Sequence, residues 1–345
     1  MQIKERVQLV KDDLRYGWAS SYVWRAFGFS LLLYLAVTLV LAIYWSREPD
    51  QFSVIDNAQQ HNSSVQLVAG AATTTTLIKV VDVMLHKPGG FLSNDIMPPG
   101  VALDNLPNWE FGVLVQVRDL ASSMRKHLSR SQTQSTEDKD LSIAEPRFNF
   151  DNSSWIFPRS EDYYREGIEK VQSYLVRLSE ETAPDAQFFT RADNLALWLE
   201  MVETRLGSLS QRLSASVGQK RLNTDLAGDP NANQATSSAA EIRVKTPWLE
   251  LDDVFYEARG NCWALIHFFK AIEYDFQDVL EDKNALVSLR QIIRELEATQ
   301  ATLWSPIVLN GGGFGVFANH SLVMASYISR ANAGISDLRE LLNRG

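Results

Sequence analysis

Residues 26–45 read AFGFSLLLYLAVTLVLAIYW, twenty residues without a charge. At 1.5 Å per residue, an α-helix of this length spans about 30 Å, the thickness of a bilayer's hydrocarbon core. Trp24, Tyr44 and Trp45 bracket the run, at the level where amphipathic rings favour the membrane–water interface, and Arg25 and Arg47 mark its ends. A cleaved signal peptide has a shorter apolar core, about 7–15 residues, followed by a small-x-small exit. This run leaves through Ile43-Tyr44-Trp45-Ser46-Arg47, so it reads as an uncleaved signal anchor rather than a leader or a soluble core helix.

Basic residues near the ends of such a helix set its orientation. Lys4, Arg6, Lys11, Arg15 and Arg25 precede it, and over a similar length after it only Arg47 follows. The expectation is a cytoplasmic tail (1–25), a transmembrane helix (26–45) and an extracytoplasmic remainder. Ile3, Val7, Val10 and Leu14 fall on one helical face, so the tail reads as a short amphipathic extension of the anchor.

The 345 residues are 45% hydrophobic and 22% charged, with a net charge of −9. Residues 1–25 hold five basic and three acidic groups, so the remaining 28 basic and 39 acidic groups leave −11 beyond them. Nucleic-acid binding rests on Lys and Arg neutralising phosphates, which makes it a poor match here. A domain this acidic is also poorly suited to lie flat on anionic headgroups. The single cysteine, Cys262, excludes an intrachain disulfide and a cysteine-based zinc cluster.

Beyond the anchor, apolar residues recur at three- and four-residue steps, the signature of amphipathic helices. One stripe is Leu114, Val117, Ala121, Met124 and Leu128; another is Tyr164, Ile168, Val171, Leu175 and Leu178. The longest runs from Phe188 through Leu195, Leu199, Val202, Leu206 and Leu209 to Leu213. Further stripes cover Leu265–Val279, Leu286–Leu296 and Met324–Leu342. The segment 65–86 reads as helix despite Thr73-Thr74-Thr75-Thr76, because Lys87-Pro88-Gly89-Gly90 is a helix stop. The fold class expected is mainly α: the anchor followed by an elongated antiparallel helical bundle. Residues 218–246 lack an apolar period and read as a polar loop between lobes 46–217 and 247–345, which are equally compatible with one bundle.

Candidate chemistry is sparse. Trp109-Glu110 and the cluster Asp252, Asp253 and Glu257 are carboxylates of the kind a glycan hydrolase pairs, one as acid and one as base or nucleophile. Acids in a first helical turn also answer the helix dipole. Asn310-Gly311-Gly312-Gly313-Phe314-Gly315 lacks the Lys-Ser or Lys-Thr of a phosphate loop. It reads as an interhelix turn, with Gly311, Gly312, Gly313, Phe314, Phe317 and Trp109 as partner-binding candidates. None of the five histidines forms an HExxH pair, and neither a metal nor another cofactor is expected.

The stretches GGFLSNDIMPPG (89–100), NWEFGVLVQVRDL (108–120), RLGSLSQRLSASVGQ (205–219), DDVFYEARG (252–260) and NHSLVMASYISRAN (319–332) resemble a proteobacterial membrane-protein family known as domain of unknown function 2333. The resemblance runs along nearly the whole chain. It implies a Gram-negative inner-membrane protein with a periplasmic bulk, and it transfers no catalytic residue. The leading functional expectation is a structural or adaptor component of a cell-envelope complex, contacting the bilayer through its helix and engaging protein partners or further copies of itself. A tethered cell-wall hydrolase and a ligand-sensing accessory subunit are the alternatives.

Overall fold

The apolar run becomes the C-terminal half of one continuous helix, α1 (Gln2–Trp45), in a computed structural model that describes residues 2–61, 68–131, 135–180, 186–222, 241–305 and 307–344. Tyr22–Trp45 is long and apolar enough to cross a membrane, and its most apolar window is not buried against any other part of the fold. The amphipathic face expected of the tail concerns side chains outside those described.

The chain continues through α2 (Val54–His61), α3 (Ala71–His86) and α4 (Asn105–Ser123), which passes into a π turn at Met124–Leu128. Next come α5 (Leu141–Phe148), α6 (Ser160–Ser179) and α7 (Ala192–Ser214). A two-stranded antiparallel hairpin, β1 (Gln219–Leu222) and β2 (Glu241–Val244), follows, then α8 (Leu251–Asp275), α9 (Gln277–Asp282), α10 (Leu286–Ala298) and α11 (His320–Asn343). The fold is mainly α. The hairpin departs from the polar loop expected over 218–246, whose residues 223–240 lie outside those described.

The threonine run does form helix. Thr74 and Thr75 donate their hydroxyls to the carbonyls of Gly70 and Ala71, 2.7 Å each, which lets β-branched polar residues sit buried in α3. Asp275, at the end of α8, accepts from the Thr73 amide at 2.7 Å and so caps the start of α3.

α4 and α8 approach closely because glycines face each other's backbones. A Cβ at Gly112 would lie 2.1 Å from the Glu257 carbonyl oxygen, and one at Gly260 2.0 Å from that of Trp109. Asn108 donates to Asp253 and Gln116 to Asn261, at 2.7 and 2.8 Å. Residue numbers rise together along this contact, so the two helices run the same way, a departure from the all-antiparallel arrangement expected. Other pairs oppose: Arg290 to Glu273 and Gln300 to the Arg259 carbonyl join α10 and its end to α8. Ser210 to Ser329 and Ser336 to Glu203 join α7 to α11. One connected set of buried apolar side chains draws on residues both before 218 and after 246.

These registers define two ends. At the near end Trp45 packs on Gly89, Asn94 donates to the Ser154 carbonyl, Thr246 N–H donates to the Ala215 carbonyl, and Arg259 donates to the Thr299 carbonyl. Connections 87–104 and 149–159 and the described residues of 215–250 and 299–319 therefore emerge where α1 ends. At the far end Phe189 N–H bonds the Leu128 carbonyl, Phe188 meets Phe276 edge-on, and Arg177 pairs with Asp138. The described residues of connections 129–140 and 180–191, and connection 276–285, lie there.

Candidate functional site

Three of the four carboxylates singled out as catalytic candidates, Glu110, Asp253 and Glu257, are tied to structural partners. Glu110, fully buried on α4, accepts from the Leu92 and Ser93 amides at 2.8 Å each and from the Ser93 hydroxyl at 2.5 Å, and pairs with Lys87. It pins the Pro88-Gly89-Gly90 turn onto the helix. Burial raises its pKa, while Lys87, Ser93 and Leu92 pull the other way. Glu257 is gripped bidentately by Arg212 at 2.7 and 2.6 Å, which ties α7 to α8. Asp253 accepts from Asn108, and burial followed by repulsion from Asp104 and Asp252 raises its pKa. Asp252, half-buried in the first turn of α8, stands beside it. Glu110 and this cluster share no hydrogen-bond partner among those described.

Trp109 is corrected from partner-facing anchor to core: it is fully buried, its ring 5.2 Å from that of Trp263, because the glycine contact draws α4 onto α8 around it. The glycine-rich segment is different. Asn310 and Asn319 pair across its base, Gly311 N–H donates to the Ala318 carbonyl at 2.9 Å, and Asn319 caps α11 through the Leu322 amide. Gly313 takes a left-handed φ of 81°, and a side chain at Gly312 would meet nothing. Phe314, Val316 and Phe317 project outward, Phe314 with its whole side chain exposed.

Beneath the same connection lies a cavity of about 530 Å³, mostly apolar, lined by Phe255, Leu303, Trp304, Met324 and Tyr327 with Arg259 and His320 as polar groups. Arg259 donates to both oxygens of Glu48 at 2.6–2.9 Å and to the Thr299 and Ala301 carbonyls at 3.1 and 3.0 Å. His320 Nδ1 accepts from the Leu309 amide, and burial lowers its pKa. This cavity escaped the sequence reading. Its Arg259–Glu48 link joins residues 211 positions apart, and no local pattern announces it.

His267 is a core residue, stacked on Phe52 at 4.0 Å, with Nδ1 bonded to the Trp263 carbonyl and Nε2 accepting from the Phe52 amide. Burial lowers its pKa to about 4. Burial likewise pushes the Cys262 thiol up to about 12. Among the described residues no group of three His, Cys, Asp or Glu side chains is placed to hold a metal.

The fold thus defines a mainly α protein with one N-terminal apolar helix. The chain belongs to the family described as an uncharacterized protein conserved in bacteria (DUF2333), whose profile matches residues 18–345. No curated protein and no solved structure matches it.

Proposed function

We propose that this chain is a single-pass bacterial membrane protein, its N-terminus cytoplasmic and its helical bulk extracytoplasmic, serving as a structural or adaptor component of a cell-envelope complex. The observation that carries the reading is the uncovered apolar helix Tyr22–Trp45, joined directly to a large packed domain. The commitment of Glu110, Asp253 and Glu257 to structural partners supports it against a tethered hydrolase. Isolation of the full-length chain in mild detergent tests it. The expected result is a stable partner or a self-association; recovery of monomer alone would contradict it.

The cavity favours a second reading, a ligand-sensing accessory subunit. Arg259 both lines the cavity and holds Glu48, three residues past the end of α1, so a ligand there touches the group that fastens the domain to its helix. Native mass spectrometry is the check: a small apolar adduct lost on Met324→Trp is expected, and adduct-free protein from native membranes would count against it.

A further inference from the structure

We propose that the near end of the domain is a membrane-docking face whose exposed apolar loops insert into the headgroup–acyl boundary of the same bilayer that α1 crosses. The inference rests on the anchor reading and specifies which surface meets the membrane.

Exposed large apolar side chains are distributed unevenly. The connection 87–104 exposes Ile96, Met97 and Val101; 149–159 exposes Trp155, Ile156 and Phe157; the chain entering α8 exposes Trp248 and Leu249. The connection 299–319 exposes Trp304, Ile307, Phe314, Val316 and Phe317. All four emerge at the near end. Among the described residues, the far-end connections 129–140, 180–191 and 276–285 expose no large apolar side chain, and the exposed ones nearest them, Ile143, Tyr274 and Val287, stand singly on the adjoining helices. Scattered exposed apolar residues need no explanation, but their concentration on one end does.

The composition fits a lipid interface. Six of these thirteen side chains are Trp or Phe, and indole rings favour the headgroup level. From Ala298 to Ser329 the chain contains no Asp, Glu, Lys or Arg, within a domain whose formal charge is strongly negative. Residues 219–245 hold Lys220, Arg221, Arg243 and Lys245 against Asp225, Asp229 and Glu241, a small positive excess of the sign that anionic headgroups attract. Acidity prevents the domain from lying on its side, and the other near-end connections carry the exposed acids Asp104, Asp151 and Glu250, so the uncharged segment 298–329 is the part of this end that meets headgroups without that penalty.

Distance makes the contact hard to avoid. Trp45 closes the apolar helix, and Glu48 is already held by Arg259. Three residues of extended chain reach at most about 10 Å. Arg259 in turn holds the carbonyls of Thr299 and Ala301, at the root of the connection that carries Trp304 and Phe314. The root of that connection is therefore fastened within a few residues' reach of the point where the helix leaves the hydrocarbon.

The test uses the full chain in nanodiscs of phosphatidylcholine and phosphatidylglycerol, with nitroxide-bearing lipids as quenchers. Single cysteines carrying an NBD fluorophore are placed by Phe157→Cys and Phe314→Cys at the near end, Val287→Cys at the far end and Leu35→Cys in the apolar helix. All four side chains are exposed, and the native Cys262 is fully buried. The expected result is loss of emission by lipid nitroxide at positions 35, 157 and 314, with position 287 unaffected. Quenching at 35 with 157 and 314 behaving like 287 would overturn the docking and leave the anchor standing. No quenching at 35 would sink the anchor, and the docking with it. Near-end emission insensitive to nitroxide but altered by a second chain in the disc would assign the face to a protein contact and equally overturn the proposal.

Discussion

Lys87 and Glu110 form an ion pair with neither side chain exposed to solvent. The Leu92 and Ser93 amides complete the carboxylate's shell. Removing one partner of such a pair leaves an uncompensated buried charge and costs about 3–5 kcal/mol. Lys87→Met is expected to lower stability by that amount in urea denaturation followed by tryptophan circular dichroism; a change well below it would mean the pair is solvated. His267 makes the pH response measurable. Its folded pKa of about 4 lies below the ordinary value, so the unfolded chain takes up its proton first. Its contribution is complete above about pH 6.5 and is lost as pH falls toward 4, by up to about 3 kcal/mol. Asp275 opposes it: burial raises its pKa to about 6, so its contribution weakens as pH rises from about 4 to 6. The difference between the native chain and His267→Gln isolates the histidine, and a flat difference across that window would contradict the assignment. Glu110 beside Trp109 resembles a catalytic acid in sequence because both residue types serve sugar chemistry. The contact that explains it comes from Lys87, which reads only as part of a helix stop.

The parallel contact of α4 with α8 is the element on which the core depends. Gly112→Ala and Gly260→Ala each drive a methyl into a backbone carbonyl that cannot swing away. Each is expected to cost about 1–3 kcal/mol or more as overpacking, read as a lowered urea midpoint. Gly312→Ala, where a Cβ meets nothing, is the control expected to leave the midpoint in place. The stripes on α6, α7, α10 and α11 were legible because burial follows the helical period: most of their residues are buried, and Leu178, Ala192 and Leu286 are partly so. Which helix covers which stripe was not legible: a stripe states that a face is buried, not by what. The parallel pairing follows from glycines and an Asn–Asp contact whose members lie 145 residues apart.

At the scale of the molecule, Arg259 is the fastening between the apolar helix and the domain. It joins Glu48 to the near-end carbonyls of Thr299 and Ala301. Arg259→Gln is expected to speed amide exchange in 299–319 while far-end segments keep native protection; uniform acceleration would mean global destabilisation instead. Phe314 and Phe317 were visible in sequence as partner-binding candidates on a glycine-rich interhelix turn. Phe157 and Met97 were not, because a turn-rich stretch does not declare the end of the molecule at which it emerges. Only the combined helix registers place all four loops beside Trp45.

The central claim is that residues 22–45 stay in the chain as a membrane anchor and hold the domain outside the cytoplasm. The direct measurement is labelling of Val287→Cys by a membrane-impermeant maleimide in intact spheroplasts, followed by fractionation. Position 287 is exposed at the far end, and Cys262 is fully buried. Labelled full-length protein in the membrane pellet without permeabilisation is the expected result. Labelling only after permeabilisation, or a labelled chain released into the soluble fraction and lacking the apolar helix, would contradict it.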